Sequence, residues 1–331
     1  MCIRDRLEKT NIVFSDEDEI IRIANQIVNT VGRKLDSRRP LVDARLLDGS
    51  RVNIIAPPLA VDGTSISIRK FSKKKLTLQN MVKSNNMNNA IAEFLHIAAA
   101  CKMNILVSGG TGAGKTTLLN AISEGIDDNE RIVTIEDAAE LKLDQPHIVR
   151  LETKPLQFDE KEGEGVEIRD LVKNSLRMRP DRILVGEVRG AEAFDMMQAM
   201  NTGHEGSMST IHANHPRDSL SRLENMISMA DLGLPSRAIR YQIASAINII
   251  VQISRMRDGH RRITYVSEIV GMEGDTITMQ DLFTFKAKNN ASADGRLSGN
   301  FQWSGIIPRT IRRIDYYGYR QRLGKALKIR I

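Results

Sequence analysis

The sequence predicts an α/β protein with a mostly parallel sheet and a C-terminal antiparallel meander, preceded by a small α+β domain. Short alternating runs near the start of the chain give way to continuous apolar runs separated by amphipathic helices. Strands and helices alternate from residue 90 to residue 203, which is typical of a parallel sheet covered on both faces. After Asn248 the apolar period returns to two, which predicts antiparallel strands.

The first domain is predicted over residues 1–72. Residues 1–6 lack the apolar core of a signal peptide, and we interpret the start as truncated or foreign. Ser15 can cap a helix whose apolar residues share one face, and Gly32 can end it. Strand-like runs follow at 41–46, 51–55 and 64–71, with a turn at Asp48-Gly49. Residues 73–89 are basic and polar, which predicts a linker.

The second domain is predicted over residues 90–285, followed by a basic C-terminal tail at 286–331. Its helices are expected at 90–101, 115–122, 167–178 and 191–200. Apolar runs at 104–107, 131–135, 147–151 and 182–185 are expected to form the parallel strands, and runs at 249–254, 261–270 and 276–282 the meander.

Composition excludes several classes of protein. Two cysteines among 331 residues cannot supply a disulfide scaffold or a four-cysteine zinc site. The most apolar run, at 243–253, is far shorter than the roughly 20 residues that span a bilayer, so we expect a cytoplasmic protein. The net charge of +7 lies entirely in residues 305–331. This segment either meets an anionic membrane surface or an acidic partner, or is simply solvated.

Residues 109–116 match the phosphate-loop pattern, between an apolar strand and a helix. Glycines allow backbone N–H groups to wrap a phosphate, and the helix dipole faces the anion. The lysine would reach the β- and γ-phosphates, and the next hydroxyl would ligate Mg²⁺, so ATP and Mg²⁺ are the expected ligands. The predicted nucleotide-binding residues are Gly109, Gly110, Thr111, Gly112, Ala113, Gly114, Lys115, Thr116 and Thr117.

Carboxylates follow two of the predicted strands. Glu187 follows the apolar run at 182–185 and Gly186. A Walker B acid at this position would hold Mg²⁺ together with Thr116. The run at 131–135 leads into Glu136, Asp137 and Glu140, one of which could polarise the attacking water. The alternative for these three is a set of exposed loop acids.

Residues 203–214 contain His204 and His212 at the end of another expected strand. An imidazole there could sense the γ-phosphate or bridge to a neighbouring subunit. Metal binding by the two histidines has no support from a cysteine or an HExxH pattern. The remaining alternative is a purely structural role for both.

Four motifs occur in the order found in the secretion ATPase superfamily: the phosphate loop (109–116), the acid box (135–140), the Walker B strand (183–187) and the histidine box (203–214). The chain resembles this superfamily from about residue 14 to residue 285. Its stretches are most similar to the CpaF branch, the motors of tight-adherence (Flp) pili, as in RIVTIEDAAELKL and RMRPDRILVGEVRGAEAFDMMQAMNTGHEGS. The acid box continues Asp137-Ala138 where type II and retraction motors usually read Asp-Pro, and two cysteines cannot form the zinc element of type II assembly motors. Both departures favour the CpaF branch.

The resemblance implies a RecA-like P-loop NTPase domain and assigns roles to individual residues. Glu140 becomes the water-activating carboxylate, Glu187 the metal-site carboxylate, and His204 and His212 the histidine-box pair. The resemblance also implies that arginines of the first domain reach the nucleotide phosphates. These are Arg45 and Arg69, on the polar faces of their strands, with Arg189 and Arg217 as weaker candidates.

The resemblance further implies a ring hexamer that hydrolyses ATP at the inner face of the cytoplasmic membrane and acts on a membrane platform protein to assemble pili. A type IV secretion or conjugation ATPase of the same superfamily is the alternative. A nucleic-acid translocase is disfavoured because the body is charge-neutral and aromatics make up only 4% of the chain. We therefore expect no nucleic-acid partner. A small-molecule kinase would need an acceptor pocket, and the sequence shows no lid-like arginine segment of the usual kind.

Overall fold

The computed structural model describes residues 2–3, 6–7, 9–70, 75–154, 165–291 and 297–330, and the chain divides into two compact units, residues 1–74 and 75–331. Over its described residues, the first unit contains one helix, a two-stranded ribbon and a three-stranded antiparallel sheet of order β3-β4-β5. Its elements are β1 (Cys2–Ile3), β2 (Arg6–Leu7), α1 (Glu17–Asn29), β3 (Leu41–Arg45), β4 (Arg51–Ile55) and β5 (Ser65–Arg69).

Helix α1 packs its apolar face on the sheet, with Ala24 and Val28 fully buried in the same cluster as Val52 and Ile54. The expected cap, Ser15, is wrong: the carboxylate of Asp16 accepts the N–H of Glu19 at 2.8 Å. Ser15 instead donates its own N–H and hydroxyl to the Glu19 carboxylate. An ionised carboxylate is the better acceptor at a helix N-terminus, which explains the choice. Residue 71, the last residue of the predicted strand at 64–71, lies outside the described residues.

The second unit is built on a nine-stranded sheet of order β14-β13-β12-β11-β6-β10-β9-β7-β8. Its strands are β6 (Ile105–Ser108), β7 (Ile132–Glu136), β8 (Ile148–Glu152), β9 (Arg182–Val188), β10 (Met208–Ile211), β11 (Ile249–Arg255), β12 (Arg261–Glu273), β13 (Thr276–Ala291) and β14 (Leu297–Trp303). Its helices are α2 (Leu78–Lys83), α3 (Asn89–Ala100), α4 (Lys115–Ile122), α5 (Ile168–Ser175), α6 (Glu192–Asn201), α7 (Pro216–Ser228), α8 (Ser236–Ala246), α9 (Ile311–Tyr316) and α10 (Arg320–Leu327).

Strands β8, β7, β9, β10, β6 and β11 run parallel, and β12 to β14 extend the sheet antiparallel. One core cluster takes residues from α3, α4 and α10, and a second takes residues from α5, α6, α7 and α8. The parallel strands are therefore covered by helices on both faces, as their continuous apolar runs require. The predicted fold class is confirmed.

Two segments differ from the sequence prediction. The stretch expected to be a linker, 73–89, contains α2, whose Leu78 and Met81 are buried in the second unit. The segment expected to be a tail carries the end of β13, then β14, α9 and α10, with Ile314 and Leu323 fully buried. Two of its basic residues form ion pairs with acids from earlier in the chain, Arg313 with Glu205 and Arg322 with Glu93.

Buried Glu268 anchors this C-terminal segment to the sheet. Its two carboxylate oxygens accept the N–H groups of Arg309 and Thr310 and the Thr310 hydroxyl, each at 2.8 Å. None of the helices in the described ranges combines the length and the apolar character that crossing a membrane requires.

Candidate nucleotide-binding site

The phosphate loop lies between β6 and α4, at the carboxyl edge of the parallel strands. A Cβ on Gly109 would collide with the backbone carbonyl of Ile253, so only glycine fits against the neighbouring strand. Gly112 and Gly114 have φ of +67° and +97°, a conformation that side chains with a Cβ rarely adopt. A Cβ on Gly110 or Gly112 would meet no atom within 4 Å, so the loop is open on that side. This is the shape that a phosphate cradle needs.

Lys115 is the first residue of α4 and is 8% exposed. Its Nζ lies 3.4 Å from the Gly110 carbonyl oxygen and 3.1 Å from His212 Nε2. It also lies 3.9 Å from Glu187 Oε1. Buried lysines require partners of opposite charge, and here the Glu187 carboxylate supplies that charge while the His212 imidazole lies within hydrogen-bond distance. In the same helix, Thr116 is half-buried and Thr117 is exposed.

Glu187 lies near the end of β9 and faces two cations and an imidazole. Its Oε1 is 2.8 Å from His212 Nε2, and its Oε2 is 3.5 Å from Arg189 Nε. Despite the short distance to His212, no donor among the described residues is aligned for a hydrogen bond to this buried oxygen. Because a hydrogen bond depends steeply on angle, the contact between His212 and Glu187 is electrostatic rather than a hydrogen bond.

His212 directly follows β10, and its pKa is lowered, first by burial and then by the nearby Lys115 ammonium. The imidazole is therefore neutral at neutral pH. A neutral Nε2 can donate to Glu187 or accept from Lys115, but it cannot do both. The histidine thus links the phosphate-loop lysine to the strand-end carboxylate.

The donor set fits a magnesium ion that is completed by phosphate oxygens. Glu187 offers a buried carboxylate oxygen without an aligned donor, and Thr116 offers a hydroxyl. Mg²⁺ is commonly held by one or two protein ligands together with substrate phosphates and waters. Within the described ranges no three His, Cys, Asp or Glu side chains gather as an all-protein metal cage would require.

The three carboxylates of the acid box, Glu136, Asp137 and Glu140, have different surroundings. Glu136, at the end of β7, is 3% exposed and accepts the N–H groups of Glu140 and Leu141 at 2.8 and 3.0 Å. Burial raises the pKa of Glu136 to about 7, against the opposing effect of these hydrogen bonds. Asp137 forms an ion pair with Arg189. Glu136 therefore shapes the loop that carries the half-buried Glu140, whose water-activating role stays a prediction.

The two histidines of the histidine box are not brought together. His204 precedes β10 and His212 follows it, so they lie at opposite ends of this strand. His204 lies in a loop that Asn104 holds by accepting the N–H groups of Gly206 and Ser207 at 2.7 and 3.1 Å. Its Nδ1 is buried and has no hydrogen-bond partner among the described residues. Only His212 belongs to the site at the phosphate loop.

In the first unit, Arg45 and Arg69 lie in one cross-strand row with a third arginine. Arg45 is opposite Arg51, and Arg51 is opposite Arg69, so the three side chains share one face of the sheet. Arg51 was missed because strand register is not visible in any one run, although aligning the three alternating runs would have found it. Three neighbouring cations repel one another and favour an anion nearby. Their contact with nucleotide phosphates stays a prediction.

Two further arginines contact the site of the second unit. Arg189, a weaker sequence candidate, touches both Asp137 and Glu187. Arg261, which the sequence did not suggest, donates its Nε to the Gly112 carbonyl at 2.9 Å. No local motif marks Arg261, because it opens a strand far along the chain from the loop it meets. Arg217, the other weak candidate, is exposed at the start of α7.

Comparison with known proteins shows the family to which the chain is similar. The family model for type II/IV secretion system proteins matches residues 3–298. A putative conjugal transfer protein of Mycobacterium tuberculosis is 38% identical over 275 residues, which covers 81% of this chain and 77% of that protein. The type IV secretion system protein VirB11 of Bartonella quintana is 32% identical over 288 residues, covering 75% and 79%. The solved structure of the Legionella pneumophila ATPase DotB is similar in fold, with a TM-score of 0.53 at 23% identity, covering 80% of this chain and 72% of that one.

Proposed function

The chain belongs to the type II/IV secretion system protein family, and we propose that it is a motor ATPase that powers pilus assembly or secretion at the inner face of the cytoplasmic membrane. The observation that carries this proposal is the meeting of Lys115, His212 and Glu187 beside an open phosphate loop. A site built this way binds a magnesium nucleotide and hydrolyses it.

Each residue of the proposed site has a distinct task. The loop N–H groups and Lys115 neutralise the β- and γ-phosphates, which stabilises the charge that develops during transfer. Thr116 and Glu187 would hold Mg²⁺, which would supply further positive charge at the phosphates. Glu140 orients and deprotonates the attacking water. The Glu136 carboxylate holds the backbone of Glu140 in place by accepting the Glu140 N–H. Arg45 and Arg69 add positive charge from the first unit.

Two machines are candidates for this motor. The CpaF-like stretches and the Asp137-Ala138 acid box favour a tight-adherence (Flp/Tad) pilus. The names of the relatives, a conjugal transfer protein and a type IV secretion protein, favour conjugation or type IV secretion. In either case we propose a homohexameric ring, as expected for a head-to-tail interface that closes, and a membrane platform protein as partner.

Steady-state phosphate release by the purified protein tests the reaction class. We expect Mg²⁺-dependent ATP hydrolysis that requires neither DNA nor a phosphoryl acceptor. Activity that appears only with DNA would favour a translocase, and activity that appears only with an acceptor would favour a kinase. Deleting the gene in its host then separates the two machines: loss of surface pili supports the first, and loss of DNA or protein transfer with normal pili supports the second.

A further inference from the structure

Arg261 reaches the phosphate loop from the antiparallel part of the sheet. It opens β12, directly after the turn that follows β11, and its Nε donates to the carbonyl oxygen of Gly112 at 2.9 Å. Its Cδ lies 3.1 Å from the position that a Cβ on Gly114 would occupy. The Arg261 side chain therefore packs along the loop between Gly112 and Gly114. The proposed catalytic scheme leaves this residue without a task.

The hairpin around Arg261 holds it firmly. The neighbouring Arg262 is 6% exposed and donates from both terminal nitrogens to the Asp258 carboxylate, at 3.0 and 2.8 Å. This guanidinium holds the pKa of Asp258 well below its usual range, and the carboxylate also accepts the N–H of Leu297. The Asn86 side chain donates to the backbone carbonyl of Arg261. The position of Arg261 thus follows from the folded hairpin rather than from the loop.

The bond to Gly112 determines how the loop presents its backbone. A phosphate cradle works when N–H groups face the anion and carbonyl oxygens face away. Arg261 binds the carbonyl oxygen of Gly112, in the short stretch that runs between the positive-φ residues Gly112 and Gly114. It also brings a charge that is present at every physiological pH. Both effects favour polyphosphate in the loop.

We infer that Arg261 is a positioning residue that keeps the phosphate loop in its anion-binding shape for nucleoside di- and triphosphates. This inference rests on the proposed nucleotide-binding function. Because the contact is made to the backbone carbonyl of Gly112, and not to the carboxylates proposed to hold Mg²⁺ or to activate water, it strengthens the binding of ADP and ATP alike. Loss of such uniform binding raises KM and leaves kcat unchanged.

The test compares Arg261→Gln, Arg261→Lys and the control Arg257→Gln, which removes an exposed arginine from the same hairpin turn. Dissociation constants for ADP and for a non-hydrolysable ATP analogue are measured with Mg²⁺ by calorimetry. We expect Arg261→Gln to weaken both about tenfold, the effect of losing one charged hydrogen bond. Arg261→Lys keeps the charge but not the planar donor, so its affinities should fall in between. The control should match the wild type. In the two Arg261 variants, kcat at saturating ATP should change by less than about twofold.

Thermal unfolding separates this role from a structural one. The Arg261 variants should unfold at the wild-type temperature without nucleotide but gain less stability when ADP is added, since that gain follows the dissociation constant. Wild-type affinity for ADP in both variants would overturn the inference, as would a loss of affinity accompanied by an equal loss of stability in the nucleotide-free protein. If the wild type itself binds no nucleotide, the proposed function fails; if it binds and the variants bind equally, only this inference fails.

Discussion

At the residue scale, the site is a compact set of opposite charges around one imidazole. Lys115 and Glu187 are 3.9 Å apart, and His212 Nε2 is within 3.1 Å of the lysine and 2.8 Å of the carboxylate. When the Lys115 ammonium binds a polyphosphate, it no longer donates to His212 Nε2, and Nε2 can then donate to Glu187. The protonation of His212 and the charge state of the loop are therefore linked by geometry.

Glu140 and Glu187 should fail in different ways when changed to glutamine. Glu140→Gln should bind ATP normally and lose most turnover, because an amide cannot deprotonate water. Glu187→Gln should lose turnover together with Mg²⁺ dependence, because an amide is a poorer magnesium ligand. The measurements are phosphate release and calorimetric ATP binding, with Glu273→Gln, an exposed carboxylate, as the control. Normal hydrolysis in Glu140→Gln would remove it from this role and leave Asp137 or Glu136 as candidates.

Glu136 should make stability depend on pH. Its pKa is raised from 4.5 to about 7, so the folded protein holds an extra proton between these values. The free energy of unfolding should then fall as pH rises through this window, by up to about 3 kcal/mol. Urea unfolding at pH 5 and pH 8 checks this, with Glu136→Gln lacking that decrease. The exposed Glu152→Gln should behave as the wild type. Identical pH dependence in Glu136→Gln would contradict the assignment.

At the element scale, local patterns predicted most of what builds the site. The phosphate loop, the strand before it and the strand that ends in Glu187 were predictable because each is a continuous run with its own signal. Helices α9 and α10 were missed because a basic composition hid the apolar residues Ile314 and Leu323. The separation of His204 from His212 was missed because the four-residue strand between them is too short for a clear periodic signal.

A buried ion pair fixes the start of β9 to its surroundings. Arg182 is fully buried and donates from Nε and Nη2 to the two oxygens of Glu130, each at 2.7 Å. Its Nη1 donates to the Ala99 carbonyl at 2.7 Å. These bonds hold the strand that carries Glu187 against the end of α3.

Removing the acidic partner should be costly. Glu130→Ala leaves a buried guanidinium uncompensated, and we expect a loss of about 3–5 kcal/mol in the free energy of unfolding. The measurement is urea unfolding against Lys102→Ala, which removes the partly exposed second partner of Glu130 and should cost under about 1 kcal/mol. Equal small losses in the two variants would show that the pair contributes little.

At the scale of the whole molecule, the chain joins a small α+β unit to a larger ATPase unit, and both units carry candidate site residues. The change from alternating to continuous apolar runs indicated a domain boundary in this part of the chain. What no single run could predict was long-range pairing: the arginine row of β3, β4 and β5, and the contact of Arg261 with the loop. Such contacts depend on register and topology, which local sequence does not encode in readable form.

Substitutions at Arg45 and Arg69 test whether these two arginines take part in hydrolysis. If they reach the γ-phosphate during hydrolysis, alanine at either position should lower kcat at least tenfold and raise KM much less, since their bonds strengthen in the transition state. Lysine should substitute poorly because it lacks the planar fork. Steady-state kinetics on an intact oligomer decides, with the exposed Arg38→Ala as control. An unchanged kcat in both variants would leave the first unit outside the chemistry.

The central claim, that Lys115 and its loop form the site of ATP hydrolysis, is tested most directly by one measurement. Mg²⁺-dependent phosphate release from ATP is compared between the wild type and Lys115→Ala, with Lys102→Ala as the control and circular dichroism to establish that each variant is folded. We expect turnover in the wild type and the control, and background release with weakened nucleotide binding in Lys115→Ala, because the cation that neutralises the β- and γ-phosphates is gone. Wild-type turnover in a folded Lys115→Ala variant would contradict the claim.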